Sequence, residues 1–80
     1  MSATRDPRID PLPGDLLRKG QIWLMVLETD LSWVGLVRAE KRDGEWWGCF
    51  STRRRIPWPE YRQTAVDVDE VIPAESEVPA

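Results

Sequence analysis

The chain has 80 residues, of which 41% are hydrophobic, and this length and composition predict one small folded domain. Its formal net charge of −3 is unevenly distributed, because residues 1–66 hold all 11 basic residues and only nine of the 14 acidic ones. The absence of histidine and the single cysteine exclude an intramolecular disulfide, histidine-based catalytic pairs and the usual zinc sites.

Signals for export or membrane insertion are not evident in the sequence. The N-terminus lacks the apolar segment of a secretory signal, and the longest apolar run, Ile22 to Leu27, is too short to cross a bilayer. We therefore expect a soluble, cytoplasmic protein that does not contact membranes.

The first third of the chain predicts an arm, a turn and two strands. Residues 1–11 are polar and interrupted by proline, which favours a flexible N-terminal arm. Pro13-Gly14 indicates a turn, after which Asp15–Lys19 forms a short strand. Residues 21–29 are rich in β-branched and aromatic side chains on both faces, which is typical of a strand inside a sheet or in a small barrel.

A β-hairpin is predicted in the middle of the chain. Trp33–Lys41 is the third strand, in which Gly35 indicates a bend or bulge. Asp43-Gly44 lies between two strand patterns and predicts a tight turn, so that Glu45–Phe50 returns antiparallel.

The last third predicts a loop, a helical turn, a strand and a tail. Residues 51–58 are interpreted as a loop that carries three consecutive arginines, and Pro59 begins a helical turn that ends near Gln63. Residues 65–72 alternate and favour an edge strand, and residues 73–80 are expected to form a disordered acidic tail. The whole pattern predicts a mainly β fold over residues 12–72. We expect a small SH3-like barrel of about five antiparallel strands, although a small open sheet with one helix would produce the same pattern.

Catalytic chemistry is not indicated by any residue pattern. The five glycines match no phosphate-binding spacing, and Cys49 lies in an apolar strand, where a small buried hydrophobe is expected. We therefore expect no enzymatic activity, no catalytic residue, no cofactor and no metal ion.

One stretch combines arginines with aromatic residues in a pattern typical of binding surfaces. Tryptophan, tyrosine and arginine dominate protein–protein hot spots, and they also stack on bases and contact phosphates in nucleic-acid complexes. A structural role is the simplest alternative, since one of two adjacent strand residues must face inward. The candidate partner-binding residues are Trp46, Trp47, Arg53, Arg54, Arg55, Trp58, Tyr61 and Arg62.

Two segments also carry a resemblance to a known group of proteins. These are Asp-Pro-Arg-Ile-Asp-Pro-Leu-Pro-Gly-Asp-Leu-Leu-Arg-Lys-Gly at residues 6–20 and Cys-Phe-Ser-Thr-Arg-Arg-Arg-Ile-Pro-Trp at residues 49–58. Over residues 6–62 the chain resembles short proteins of tailed phages and proteobacterial prophages. That group opens with an Asp-Pro-x-Pro-Gly-Asp motif and closes with an aromatic–arginine turn, which Ile56-Pro57 interrupts in this chain.

The resemblance implies a phage or prophage origin. Small phage accessory proteins often bind and block a host factor, so we expect a non-enzymatic module that binds a protein partner, such as an inhibitor of a host defence. An alternative is a nucleic-acid-binding module that uses the same arginines and aromatic residues. A third hypothesis is a structural protein that buries its apolar strand faces in a homodimer.

Overall fold

The computed structural model describes residues 6–74, which contain five strands and one helix. The elements in chain order are β1 (Leu16–Lys19), β2 (Ile22–Thr29), β3 (Trp33–Arg42), β4 (Glu45–Pro57), α1 (Trp58–Val66) and β5 (Glu70–Ile72). The strands form one antiparallel sheet in the order β4-β3-β2-β1-β5, which confirms the mainly β fold with five antiparallel strands and one helix. No pairing joins β4 to β5 among the described residues, so the sheet is not closed into a barrel.

The Asp43-Gly44 turn connects β3 to β4 as predicted. Both turn residues have positive φ, 52° at Asp43 and 83° at Gly44, which is the conformation of a two-residue turn that matches the twist of the strands. Arg42 pairs with Glu45 on either side of the turn, and this pairing sets the register of the hairpin.

The main core lies between one face of the sheet, here called the helix face, and α1. Adjacent strand residues alternate between the two faces of the sheet, so the apolar residues of β1–β4 that lie on this face point towards the helix. Helix α1 contributes Tyr61 and Ala65, each 1% exposed, to this core. The buried core residues are Leu17, Val26, Val34, Leu36, Ile56, Tyr61, Ala65 and Val68.

Two bulges bend the sheet. The first lies in β2 between Val26 and Glu28, directly beside Gly35. A Cβ atom at Gly35 would lie 3.0 Å from Cγ of Glu28, so the glycine permits this close approach. The bulge expected at Gly35 is thus present, but its extra residue belongs to the neighbouring strand β2. The second bulge is larger, because residues 50–53 of β4 lie opposite the single residue Val37 of β3.

A hydroxyl group bridges the two strands at the larger bulge. Thr52 Oγ1 accepts a hydrogen bond from the backbone N–H of Arg38 at 3.1 Å and donates one to the carbonyl oxygen of Cys49 at 2.8 Å. The hydroxyl therefore connects the two backbones where the regular ladder is interrupted.

The Pro13-Gly14-Asp15 motif has a structural role. The Asp15 side chain is 0% exposed and accepts backbone hydrogen bonds from Leu12 at 2.8 Å and from Ala74 at 2.7 Å. These two contacts hold the start of β1 against the chain that follows β5. A buried carboxylate needs hydrogen-bond donors, and two backbone N–H groups supply them here, so the motif contributes to the stability of the fold.

Several predicted boundaries were wrong. Residues 6–11 are not an arm: Pro7 and Pro11 are buried, and the hydroxyl of Tyr61 donates to the carbonyl oxygen of Pro7 at 2.7 Å. The arginine run is not a loop, because β4 continues through it to Pro57. Helix α1 takes up residues 58–66, which shortens the last strand to Glu70–Ile72. Residues 1–5 of the predicted arm and 75–80 of the predicted tail lie outside the described residues.

Candidate functional site

A turn between β2 and β3 presents apolar side chains to solvent. Asp30 Oδ1 accepts the backbone N–H groups of Ser32 and Trp33, both at 2.8 Å. This turn leaves Leu31 99% exposed and Trp33 41% exposed. The two backbone hydrogen bonds, and next the charge and hydrogen bond of Arg55, hold the pKa of Asp30 below its ordinary value of 3.8.

The start of α1 is attached to the same turn. Trp58 donates its backbone N–H to the carbonyl oxygen of Ser32 at 3.2 Å and its indole N–H to that of Asp30 at 2.8 Å. Pro57 precedes the helix in extended conformation and Pro59 lies in its first turn, where proline removes no helical hydrogen bond. The half-buried Trp58 ring therefore fixes the helix start beside the exposed turn.

Arginine side chains cover the two tryptophan rings at this end of the sheet. Arg55 lies 5.7 Å from the Trp33 ring centroid and 3.3 Å from a carboxylate oxygen of Asp30. The guanidinium of Arg62 lies 5.3 Å from the centroid of Trp58. We refer to this cluster as the Trp33 surface, and it consists of Asp30, Leu31, Ser32, Trp33, Arg53, Arg55, Trp58 and Arg62.

Acidic residues partly neutralise the arginines of the Trp33 surface. Arg53 lies 3.7 Å from a carboxylate oxygen of Glu28, and Arg55 is paired with Asp30. All four side chains are about half exposed, so these ion pairs add little stability. Their main effect is electrostatic, since the guanidinium groups of Arg53 and Arg55 each have a carboxylate beside them, and positive and negative charges alternate at this part of the surface.

Arg54 points to the other side of the sheet from its two neighbours. Its register partner is the buried Leu36, which lies on the helix face. There Arg54 borders a shallow groove of about 90 Å³ between the sheet and α1. The lining residues of this groove are Leu24, Leu36, Val37, Thr52, Arg54, Ile56, Glu60 and Thr64.

Trp46 and Trp47 lie on opposite faces at the hairpin end of the sheet. Trp46 is half-buried, with its ring centroid 4.8 Å from that of Trp23, and Lys41 lies 5.6 Å from the Trp46 ring centroid. Trp47 is 53% exposed on the helix face, next to Glu40 on β3. The two predicted tryptophans therefore do not form one surface with each other.

Cys49 lies close to Trp47 and has the character of an unreactive thiol. Its Sγ donates to a carboxylate oxygen of Glu40 at 3.4 Å, and the same carboxylate accepts from Arg42. Desolvation by the surrounding chain, and then the Glu40 carboxylate, raise the pKa of Cys49 above its ordinary value of 9.0. A thiol with a raised pKa has little thiolate at neutral pH and is a poor nucleophile.

The eight predicted binding residues are thus divided by the fold. Arg55 and Trp58 both contact the turn at residues 30–33, Arg62 lies against Trp58, and Arg53 is on the same face of the sheet as Arg55. Arg54 borders the groove, and the Trp46–Trp47 pair lies at the far end of the sheet. The prediction that Tyr61 belongs to a binding surface is wrong. Tyr61 is only 1% exposed and its hydroxyl donates to the carbonyl oxygen of Pro7, so it cannot form part of an exposed surface.

Sequence reasoning missed Asp30, Leu31 and Trp33. The segment Asp30-Leu-Ser32 carried a signal. An aspartate side chain often accepts a hydrogen bond from the backbone N–H two residues later, and the residue between them, here Leu31, is then exposed to solvent. The contact between this turn and Trp58, 28 residues later, has no local signal.

Within residues 6–74, no group of three or more potential metal-binding side chains is present, and no helix is long and apolar enough to cross a membrane. Comparison of the chain with protein-family models, with curated proteins and with solved structures found no match.

Proposed function

We propose that this protein is a non-enzymatic interaction module that binds a protein partner through the Trp33 surface. The observation that carries the proposal is the exposure of Leu31 and Trp33 on a turn that Asp30 and Trp58 hold in place. Exposed apolar side chains surrounded by polar groups are typical of protein interfaces, and tryptophan and arginine supply most of their binding energy. A turn fixed before binding also loses less conformational entropy on association.

The ion pairs favour a protein over a nucleic acid. Binding to phosphates requires cationic side chains that are available to replace counterions. Arg53 and Arg55 instead have carboxylate neighbours, and Arg55 and Arg62 each cover a tryptophan ring that a base would need for stacking. A nucleic-acid-binding module remains the alternative, and it predicts tryptophan quenching by mixed-sequence oligonucleotides that weakens steeply with added salt.

A phage or prophage origin is part of the proposal and depends on the resemblance of residues 6–20 and 49–58. It makes bacterial host proteins, including components of defence systems, the first partners to test. We also infer that the sheet curves towards an SH3-like barrel. The bulges in β2 and β4 and the helix between β4 and β5 support this, and close NMR contacts between protons of β4 and β5 would test it.

The direct test is retention of host proteins on the immobilised protein. Leu31→Asp and Arg55→Glu change the Trp33 surface, whereas Phe50→Asp changes an equally apolar side chain, 66% exposed, on the β4 bulge. We expect the unchanged protein and Phe50→Asp to retain the same bacterial protein, identified by mass spectrometry, and the other two variants to lose it. Circular dichroism should show that all variants are folded. Equal retention by all four proteins, or no specific retention at all, would contradict the proposal.

A further inference from the structure

The two edges of the sheet are protected to very different degrees. Exposed edge strands tend to pair with other chains, and proteins prevent this with short edges, charges, prolines and bulges. Strand β5 has only three residues, begins with Glu70 and is followed by Pro73. The second half of β4 has the bulge, three consecutive arginines and Pro57.

The first half of β4 has almost none of these protections. Residues 45–49 pair regularly with β3, and only Glu45, at the start, is charged. The remaining residues are Trp46, Trp47, Gly48 and Cys49, and no strand within residues 6–74 pairs with their outer side. Trp47 is 53% exposed, so this half of the edge combines open backbone groups with exposed aromatic surface.

The turn geometry determines which backbone groups face outward. Residues on either side of a two-residue turn form a hydrogen-bonded pair, and such pairs alternate along an antiparallel ladder with pairs that are not hydrogen-bonded. Arg42–Glu45 is therefore hydrogen-bonded and Glu40–Trp47 is too, while Lys41–Trp46 and Ala39–Gly48 are not. It follows that the N–H and C=O groups of Trp46 and Gly48 point away from β3.

We propose that a second copy of this chain pairs antiparallel with the first half of β4, around a two-fold axis at Trp47. In this register Trp46 exchanges backbone hydrogen bonds with Gly48 of the other copy, and the two Trp47 residues face each other. The segment from Glu45 to Cys49 is centred on Trp47, so this register pairs its full regular length. The result is one continuous sheet of two copies, with both Trp33 surfaces outside the interface.

Side-chain packing favours this register. A Trp46 ring lies opposite Gly48 of the other copy, where no side chain competes for space. A larger residue at position 48 would require the buried Val37 to shift, because a Cβ atom there would lie 3.0 Å from Cγ1 of Val37. On the helix face the two Trp47 rings form a cross-strand aromatic pair, which is among the more favourable pairs in antiparallel sheets.

Sedimentation velocity of the full chain over a wide range of concentrations tests the proposal. Trp47→Lys places two positive charges opposite each other on the axis, and we expect it to weaken dimerisation about 100-fold. Leu31→Lys is the matched control, because it adds the same charge to a residue that is 99% exposed on the turn between β2 and β3. Circular dichroism should be unchanged in both variants.

A crosslinking experiment gives an independent result if Trp47→Lys does not fold. Facing residues in a pair without hydrogen bonds have Cα atoms about 4.5 Å apart, which is within the range that a disulfide spans. In a Cys49→Ser background, Trp47→Cys should therefore oxidise to a covalent dimer, whereas Leu31→Cys should remain largely monomeric. The proposal is wrong if the unchanged protein sediments as a monomer at every concentration, if Trp47→Lys dimerises as well as the control, or if both cysteine variants crosslink equally.

Discussion

One buried residue at the start of β1 joins segments that are distant in sequence. The carboxylate of Asp15 accepts hydrogen bonds from the backbone of residues 12 and 74. The amide of asparagine has only one acceptor oxygen, and its NH₂ group would face a backbone donor. The connection between these two backbone segments therefore requires two acceptor oxygens, and no other side chain of similar size provides them.

Asp15→Asn tests this role. We expect the free energy of unfolding to fall by about 2 kcal/mol, because one buried backbone N–H loses its acceptor. The measurement is urea denaturation followed by tryptophan fluorescence. Asp43→Asn is the control, since Asp43 is exposed and asparagine also adopts its positive φ, and a loss of stability no greater than that of the control would contradict the assigned role.

A second test at the residue scale uses the reactivity of the Cys49 thiol, which depends on pH. Its raised pKa means that the thiolate forms at a higher pH in the folded protein than in the unfolded chain. Reaction with a thiol reagent should therefore become rapid at a higher pH in the native protein than in urea. Glu40→Gln removes a carboxylate that opposes ionisation, so we expect this variant to react faster at a given pH. Glu45→Gln should react like the unchanged protein, and the prediction is wrong if Glu40→Gln does so too.

At the scale of elements, the large bulge in β4 divides that strand into two halves of different composition. The half after the bulge carries the arginines and leads into α1, and the half before it follows the tight turn. At the bulge, the hydroxyl of Thr52 satisfies a donor on β3 and an acceptor on β4.

Thr52→Val should destabilise the protein by about 1 kcal/mol, because it removes both hydrogen bonds at an exposed position with little change in volume. Thr52→Ser keeps the hydroxyl and should be close to the unchanged protein. Hydrogen exchange should also show faster exchange at the Arg38 amide in Thr52→Val alone. Equal stability of the valine and serine variants would show that the hydroxyl does not support the bulge.

At the scale of the whole molecule, the N-terminal segment completes the core. Helix α1 covers one face of the sheet, and Tyr61 extends from the helix to bond with the buried Pro7. In a chain this small, such additional contacts contribute a large share of the total stability.

Tyr61→Phe keeps the ring and removes only the hydroxyl. We expect a loss of about 1 kcal/mol, as a buried hydrogen bond is broken. The Asp10 amide, which donates to the carbonyl oxygen of Asp6 at 2.8 Å, should exchange with solvent faster in this variant. Unchanged exchange at Asp10, with Val34 in β3 as the internal reference, would show that the hydroxyl does not hold residues 6–11.

The sequence by itself determined β1, β2, β3, the first half of β4, the tight turn and the bulge beside Gly35, since alternation of side chains and the φ preferences of Asp-Gly and glycine act locally. It did not determine that β4 continues through the arginines, because their polarity favours a loop unless a neighbouring strand pairs with them. Only the tertiary structure decided which face each arginine occupies, since three extra residues in the bulge change the register. It also decided that Trp58 supports the turn that exposes Leu31 and Trp33, because that contact joins residues far apart in the chain and depends on where the helix packs.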